Sequence, residues 1–201
     1  MLPARSNDAR MNTLPIGESL FLRYPTARDC QEFVSLNRAS LRFLRGLVSP
    51  PINEEQFKVF LKRSRKRDTF CLFVCRVEDR AIIGSINLSQ VVQGNFHSAY
   101  MGYYIGAPYA NRGYMTEAIK LALGFAFESL KLHRLEANIQ PHNVASIALV
   151  KRAGFTREGY SRRYLKIGGQ WRDHERWAIL AEDWKSKRVP TTRAPHPHAK
   201  S

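Results

Sequence analysis

The stretch that decides the fold is Gly102 to Ile119, GYYIGAPYANRGYMTEAI. Its first part is apolar and aromatic, as a strand is. Gly106 to Gly113 contains Pro108 and reads as a loop. From Tyr114 to Leu130, Met115, Ile119, Ala122, Phe125, Ala126 and Leu130 line one face at helical spacing, the clearest helix in the chain. A helix that starts at a glycine turn presents unpaired backbone N–H groups and a positive dipole end, which suits an anionic pyrophosphate. Gly113 permits close backbone approach, and Arg112 adds charge beside it. Alone this signal is weak, because most glycines before helices only make turns. It is not a P-loop, since no Gly-Lys-Ser/Thr follows, and the three-glycine spacing of a dinucleotide site is absent.

Upstream, Ser19 to Thr26 alternates and ends at Pro25, as a first strand does. Two helical patterns follow, one from Asp29 as N-cap to Leu44 and one from Asn53 to about Arg67. Gly46 to Pro51 between them is a loop, because Pro50 and Pro51 break any helix. In the second pattern Phe57, Phe60 and Leu61 face the core, while Lys62, Arg63, Arg65, Lys66 and Arg67 stay mostly solvated. Phe70 to Val77, Ala81 to Val92 and His97 to Gly106 then form a meander. Downstream come a strand, Arg134 to Gln140, and a helix, Asn143 to Ala153, capped by Asn143 and stopped by Gly154. Tyr160 to Ile167 and Trp171 to Leu180 form a hairpin around Gly168-Gly169. This order predicts an α/β protein with helices on both faces of one sheet. Order alone names no function.

The 201 residues, 44% hydrophobic and 24% charged, suit one soluble domain. That domain is expected over residues 16–185, between a flexible N-terminal arm, 1–15, and a disordered basic tail, 186–201. The arm has no apolar segment of a secretory signal, and either Met1 or Met11 serves as the start. No apolar run approaches the roughly 20 residues that span a bilayer. Cys30, Cys71 and Cys75 make an odd count without framework spacing, which fits a reducing cytoplasm. Cys71 and Cys75 share one strand face with no further ligand cluster, so they read as packing and not as a metal site. The net charge of +15 favours polyanionic surfaces such as ribosomes or RNA. Good solubility alone is the other reading of that charge, and a solvated helix face is the commoner reading of Lys62 to Arg67.

A second motif, PHNVASIALVKRAGF from Pro141 to Phe155, stands beside the glycine turn. Together they resemble the acetyl-CoA site of GNAT acetyltransferases. The resemblance implies a GNAT fold, with a single mixed, mostly antiparallel sheet splayed at the cofactor site. It implies acetyl-CoA as co-substrate, held by Tyr103, Tyr104, Ile105, Asn111, Arg112, Gly113, Tyr114, Met115 and Thr116, with Asn143 on the pantetheine arm. FHSAYMG (96–102), GYMTEA (113–118), Glu158-Gly159-Tyr160 and GQWRDH (169–174) are similar to the RimJ subfamily, which acetylates the N-terminal alanine of a ribosomal protein. The likeness covers about Ser19 to Trp184. It departs at Ala110, Asn111 and Met115, and at Arg45-Gly46-Leu47-Val48, where a proline–tryptophan pair of that subfamily is missing.

Acetyl transfer needs a neutral amine, a stabilised oxyanion and a proton for the leaving thiolate. An α-amine of pKa near 7.7–8.0 is roughly a tenth neutral at pH 7, against well under about a thousandth for lysine. A weak base therefore suffices for an α-amine. Tyr100 and Leu165 stand where related enzymes carry a glutamate, and Ser146 aligns with a serine that gives a proton to the thiolate. Ser146 is thus the expected acid or water organiser, and backbone N–H groups around Tyr104 and Ile105 the expected oxyanion donors. Tyr100, His97 and Asp173 are weaker candidates for a proton relay, and Glu117 reads as a helix-dipole partner. A small amine is the alternative acceptor; an RNA-binding or ribosome-assembly protein is the alternative of another class. Both a monomer and a homodimer remain open.

Overall fold

The computed structural model describes residues 14–186; the expected arm, save its last two residues, and the expected tail beyond Ser186 lie outside them. Seven strands form one sheet in the order β1-β2-β3-β4-β5-β7-β6. These are β1 (Leu20–Arg23), β2 (Phe70–Arg76), β3 (Ile82–Val92), β4 (Ser98–Ile105), β5 (Arg134–Ile139), β6 (Thr156–Ile167) and β7 (Gln170–Leu180). Every neighbouring pair is antiparallel except β4 with β5. Helices α1 (Cys30–Ala39), α2 (Leu41–Leu44) and α3 (Glu54–Ser64) precede β2, followed by α4 (Tyr114–Gly124), α5 (Val144–Ala153) and α6 (Ala181–Ser186).

Alternation along the strands divides the core in two. On one face, Phe33, Phe57 and Phe60 from α1 and α3 pack on Cys71, Phe73 and Cys75 of β2. Burial pushes the Cys75 thiol up to about 11, as expected of a packing residue. On the other face, Ala118, Ile119 and Ala122 of α4 and Leu149 and Val150 of α5 pack on Leu72, Val74, Ile86, Leu88 and Leu135. The layered arrangement matches the expected one. No helix among the described residues is long and apolar enough to cross a membrane.

Three local expectations change. The first helix does not run unbroken to Leu44. It stops at Ser40, whose hydroxyl donates to Leu36 O at 2.7 Å and accepts from Ala107 N–H at 2.9 Å. A serine that bonds back to the preceding turn and outward to another segment competes with helix continuation. Asp29 does not cap α1 with its side chain. Its carboxylate instead takes both Arg23 nitrogens at 2.8 and 2.7 Å and the Thr26 N–H at 2.6 Å. The helix starting at Tyr114 widens into a π turn over Phe125–Ser129. By contrast, Asn53 and Asn143 are side-chain N-caps, accepting from Gln56 and Ser146 N–H, and Gly154 ends α5 at φ 99°.

Candidate active site

The sheet opens where β4 and β5 part. They pair only from Ser98↔Arg134 to Tyr100↔Glu136, so Met101 to Ile105 have no β5 partner. On its other edge β4 stays paired with β3 as far as Gly84↔Ile105. Gly106 N–H donates to Ile83 O at 2.8 Å. The alternation of an antiparallel ladder then turns the Tyr104 N–H toward β3 and leaves those of Tyr103 and Ile105 facing the gap. Gly84 is what lets the two strands come so close. A Cβ there would stand 2.5 Å from Tyr104 O and 3.1 Å from Ile105 Cα.

A cavity of about 410 Å³ occupies this gap. Its walls include all ten residues expected to hold the cofactor, Tyr103, Tyr104, Ile105, Asn111, Arg112, Gly113, Tyr114, Met115, Thr116 and Asn143, together with Ser146. Asn111 (φ 60°) and Gly113 (φ 80°) take left-handed conformations that curl the loop around the start of α4. The first bond of that helix runs from Thr116 N–H to Gly113 O at 2.9 Å, which leaves the earlier N–H groups directed outward. Asn143 Oδ1 is taken by Ser146 N–H at 3.2 Å, so its Nδ2 is the group available to a ligand.

The Tyr103 and Ser146 hydroxyls lie 2.6 Å apart. Burial pushes the Tyr103 phenol up to about 12, with the Ser146 bond opposing, so it stays protonated at ordinary pH. Tyr104 points to the opposite face, where its hydroxyl donates to Asn37 Oδ1 at 3.0 Å. Burial likewise raises its pKa.

These residues fit acetyl-CoA. The unpaired β4 edge and the apolar Leu44, Leu47, Val48 and Leu149 suit a pantetheine arm, while the N-terminus of the eleven-residue α4 and Arg112 suit the pyrophosphate.

The other expected candidates do not join them. Tyr100 is absent from the cavity wall and stands on the sheet face opposite Tyr103. Tyr164 beside it and burial raise its pKa. Their separation of three residues on one strand carries that information, because side chains alternate with a period of two. His97 sits at the far end of β4, with Nδ1 3.3 Å from Lys131 O. Asp173 is held by the Tyr160 hydroxyl at 2.5 Å and the Arg163 N–H at 2.7 Å. Glu117 latches β1, accepting from Ser19 and Leu20 N–H at 2.9 and 3.1 Å.

Several wall residues were not singled out as site residues in the sequence. Phe43, Leu44, Leu47 and Val48 enter from α2 and its following loop, which Gln140 ties down by donating to Gly46 O at 2.7 Å. Tyr109 and Arg152 complete the rim. No local pattern marks them, because their nearness depends on packing across the whole fold.

The model of the Acetyltransferase (GNAT) domain matches residues 19–156. A probable N-acetyltransferase of Bacillus subtilis strain 168, YjcK, is 36% identical over 175 residues, covering 83% of this chain and 97% of that one. The ribosomal protein uS5-alanine N-acetyltransferase of Escherichia coli strain K12 is 44% identical over 107 residues, covering 53% of this chain and 55% of that enzyme. Among solved structures, Mycobacterium smegmatis RimJ in complex with CoA-disulfide superposes with a TM-score of 0.75 at 26% identity, over 81% of this chain and 82% of that one. With the domain match running from β1 to the start of β6, the chain belongs to the GNAT family of acetyl-CoA-dependent N-acetyltransferases.

Proposed function

We propose that the chain acetylates the N-terminal α-amine, with alanine preferred, of a ribosomal protein in the cytoplasm. One observation carries the choice of an α-amine. Among the described residues no Asp or Glu lines the cavity, and Glu136, beside Tyr100 on the other sheet face, is bound to Arg134 at 2.9 Å, so no free carboxylate serves as a strong base for a lysine or a polyamine. An α-amine is neutral often enough to do without one. The stretch shared with the uS5-alanine enzyme supports alanine and a ribosomal acceptor.

Acetyl-CoA supplies the acyl group as an already activated thioester. The N–H groups at the start of α4, with Asn111 and Arg112, hold its pyrophosphate, and Asn143 Nδ2 donates to the pantetheine arm. The Ile105 N–H, turned into the gap, donates to the acetyl oxygen as negative charge develops on it. Ser146 gives its proton to the departing sulfur and is oriented by Tyr103. Tyr100, on the opposite face with Tyr164, relays the proton lost by the amine toward solvent.

The test is CoA release with alanine-, serine- and methionine-initiated peptides, internal-lysine peptides and spermidine. Turnover is expected with α-amines, fastest with alanine. Turnover with spermidine or lysine alone would overturn the reading.

A further inference from the structure

The segments around the mouth of the cavity share one property. Residues 33–53, 101–116, 140–156 and 159–172 contain ten Lys and Arg and no Asp or Glu, and the one carboxylate at the hairpin's edge, Asp173, is held by the Tyr160 hydroxyl and the Arg163 N–H and lies near Arg162 and Arg163. Arg112 and Arg152 line the cavity itself, Lys151 lies over the Trp177 ring, and Arg38 donates to Ile52 O. Six cations are left: Arg42 and Arg45 at α2, and Arg162, Arg163, Lys166 and Arg172 on the β6–β7 hairpin. All six are exposed, and none forms a salt bridge among the described residues.

The two groups flank the mouth. Residues of α2 line the cavity directly. The last β5–β7 pair is Ile139↔Glu175, so Gln170 to His174 run on past the end of β5 where the sheet opens. Five residues at strand rise carry the hairpin tip roughly 16 Å beyond that end. The tip also shows aromatic surface, with Trp171 61% exposed opposite Lys166 and Leu165 opposite Arg172. Phe43, 47% exposed, stands at the α2 wall.

We propose that the hairpin tip and α2 form a contact surface for single-stranded RNA beside the acyl-transfer mouth. Cations that track a phosphate backbone, interleaved with aromatic rings on which bases stack, are what such a strand requires. Both an acidic peptide and a phosphate chain would meet the cations, but only the nucleic acid brings bases to stack on the exposed Trp171 and Phe43. The surface also answers a difficulty of charge. A basic acceptor is repelled by a chain of net charge +15 unless a polyanion lies between them. That the acceptor is taken from a ribonucleoprotein rests on the ribosomal-protein reading above; the RNA contact does not.

Fluorescence anisotropy with a labelled 20-nucleotide mixed-sequence RNA, at a series of salt concentrations, tests it. The combined Arg162→Gln, Lys166→Gln, Arg172→Gln variant should bind about tenfold or more weakly. Its log–log salt slope should be shallower by about two, since each lost phosphate contact on a single strand removes about 0.7. Trp171→Ala should weaken binding by about fivefold or more, the loss of one stacked base. Both variants should acetylate a short alanine peptide at the wild-type rate, which also shows that they fold. Wild-type protein that does not bind the RNA overturns the proposal. So does binding that survives the hairpin changes but is lost in Lys62→Gln, Arg63→Gln, Arg65→Gln on α3. If instead the hairpin variant loses only acidic peptides as acceptors, the surface reads the peptide and the RNA assignment is wrong. RNA binding without any α-amine turnover would keep the surface and remove the ribosomal-protein reading.

Discussion

The hydroxyls of Tyr103 on β4 and Ser146 on α5 meet at 2.6 Å across the gap between β4 and β5. This bond joins the strand that borders the gap to the helix that Asn143 caps. Ser146→Ala removes the proposed proton donor and should lower kcat about a hundredfold with little change in the KM for acetyl-CoA. Tyr103→Phe should cost about fivefold in kcat and about 1 kcal/mol of stability, one ordinary hydrogen bond. Stopped-flow CoA release and urea melts measure the two effects.

The same pair predicts a pH profile. Burial holds the Tyr103 phenol up at about 12, so it stays neutral through the working range. The rate on an alanine peptide should rise as the α-amine loses its proton near pH 7.7–8.0 and then level off. Tyr103→Phe should lower that curve without changing its shape. An alkaline fall below about pH 10 that vanishes in the variant would contradict this.

Substitution can separate the cap that Asn143 makes from the cofactor contact proposed for it. Asn143→Ala loses the cap on α5 and the proposed donor to the cofactor, so the KM for acetyl-CoA should rise about tenfold, with about 1 kcal/mol lost from stability. Asn143→Asp keeps a cap of equal rank and loses the donor. Its melting temperature should stay near wild type while the KM still rises. A normal KM in Asn143→Asp would remove the residue from cofactor binding.

Two glycines on adjacent strands should behave differently. Gly84→Ala drives a methyl into Tyr104 O and Ile105 Cα, so β4 must move where it borders the gap. A loss of about 1–3 kcal/mol and most of the activity is expected. An added Cβ at Gly102 meets nothing within 4 Å, so Gly102→Ala should fold as well as wild type. Any activity it loses then reports acceptor space on that exposed face, which peptide and single-amino-acid-amide acceptors can compare.

The Arg23–Asp29 pair predicts an acid-dependent loss of stability. Burial pushes the Asp29 pKa up, but the bonds from Arg23 and Thr26 outweigh it and hold the carboxyl below its usual value. A depressed carboxylate stabilises the fold above the unfolded pKa of about 3.9 and loses that contribution as the pH falls through its folded value. Asp29→Asn should therefore be less stable by about 1–3 kcal/mol at pH 7. The gap should shrink as the pH drops below about 3.9, read from urea midpoints across the series.

Much of the candidate site is legible in the sequence. The glycine turn before α4, the asparagine caps at Asn53 and Asn143 and the Gly154 stop each depend on a few neighbouring residues, and each stands as read. The ten residues expected to hold the cofactor line one cavity because two short motifs carry almost all of it. The sequence by itself therefore determined the strand–turn–helix that lines the cavity, the order of the layers and their apolar faces. Local periodicity and capping act over one or two turns and need no partner. Tertiary structure alone decided that β4 leaves β5 after Tyr100 and that α1 breaks where Ser40 reaches Ala107. It also sent Asp29 to Arg23 instead of capping α1, and brought Ser146 to Tyr103 across 43 positions of sequence. Those contacts join surfaces that meet only when the sheet and both helical layers have packed, so no window of sequence contains them.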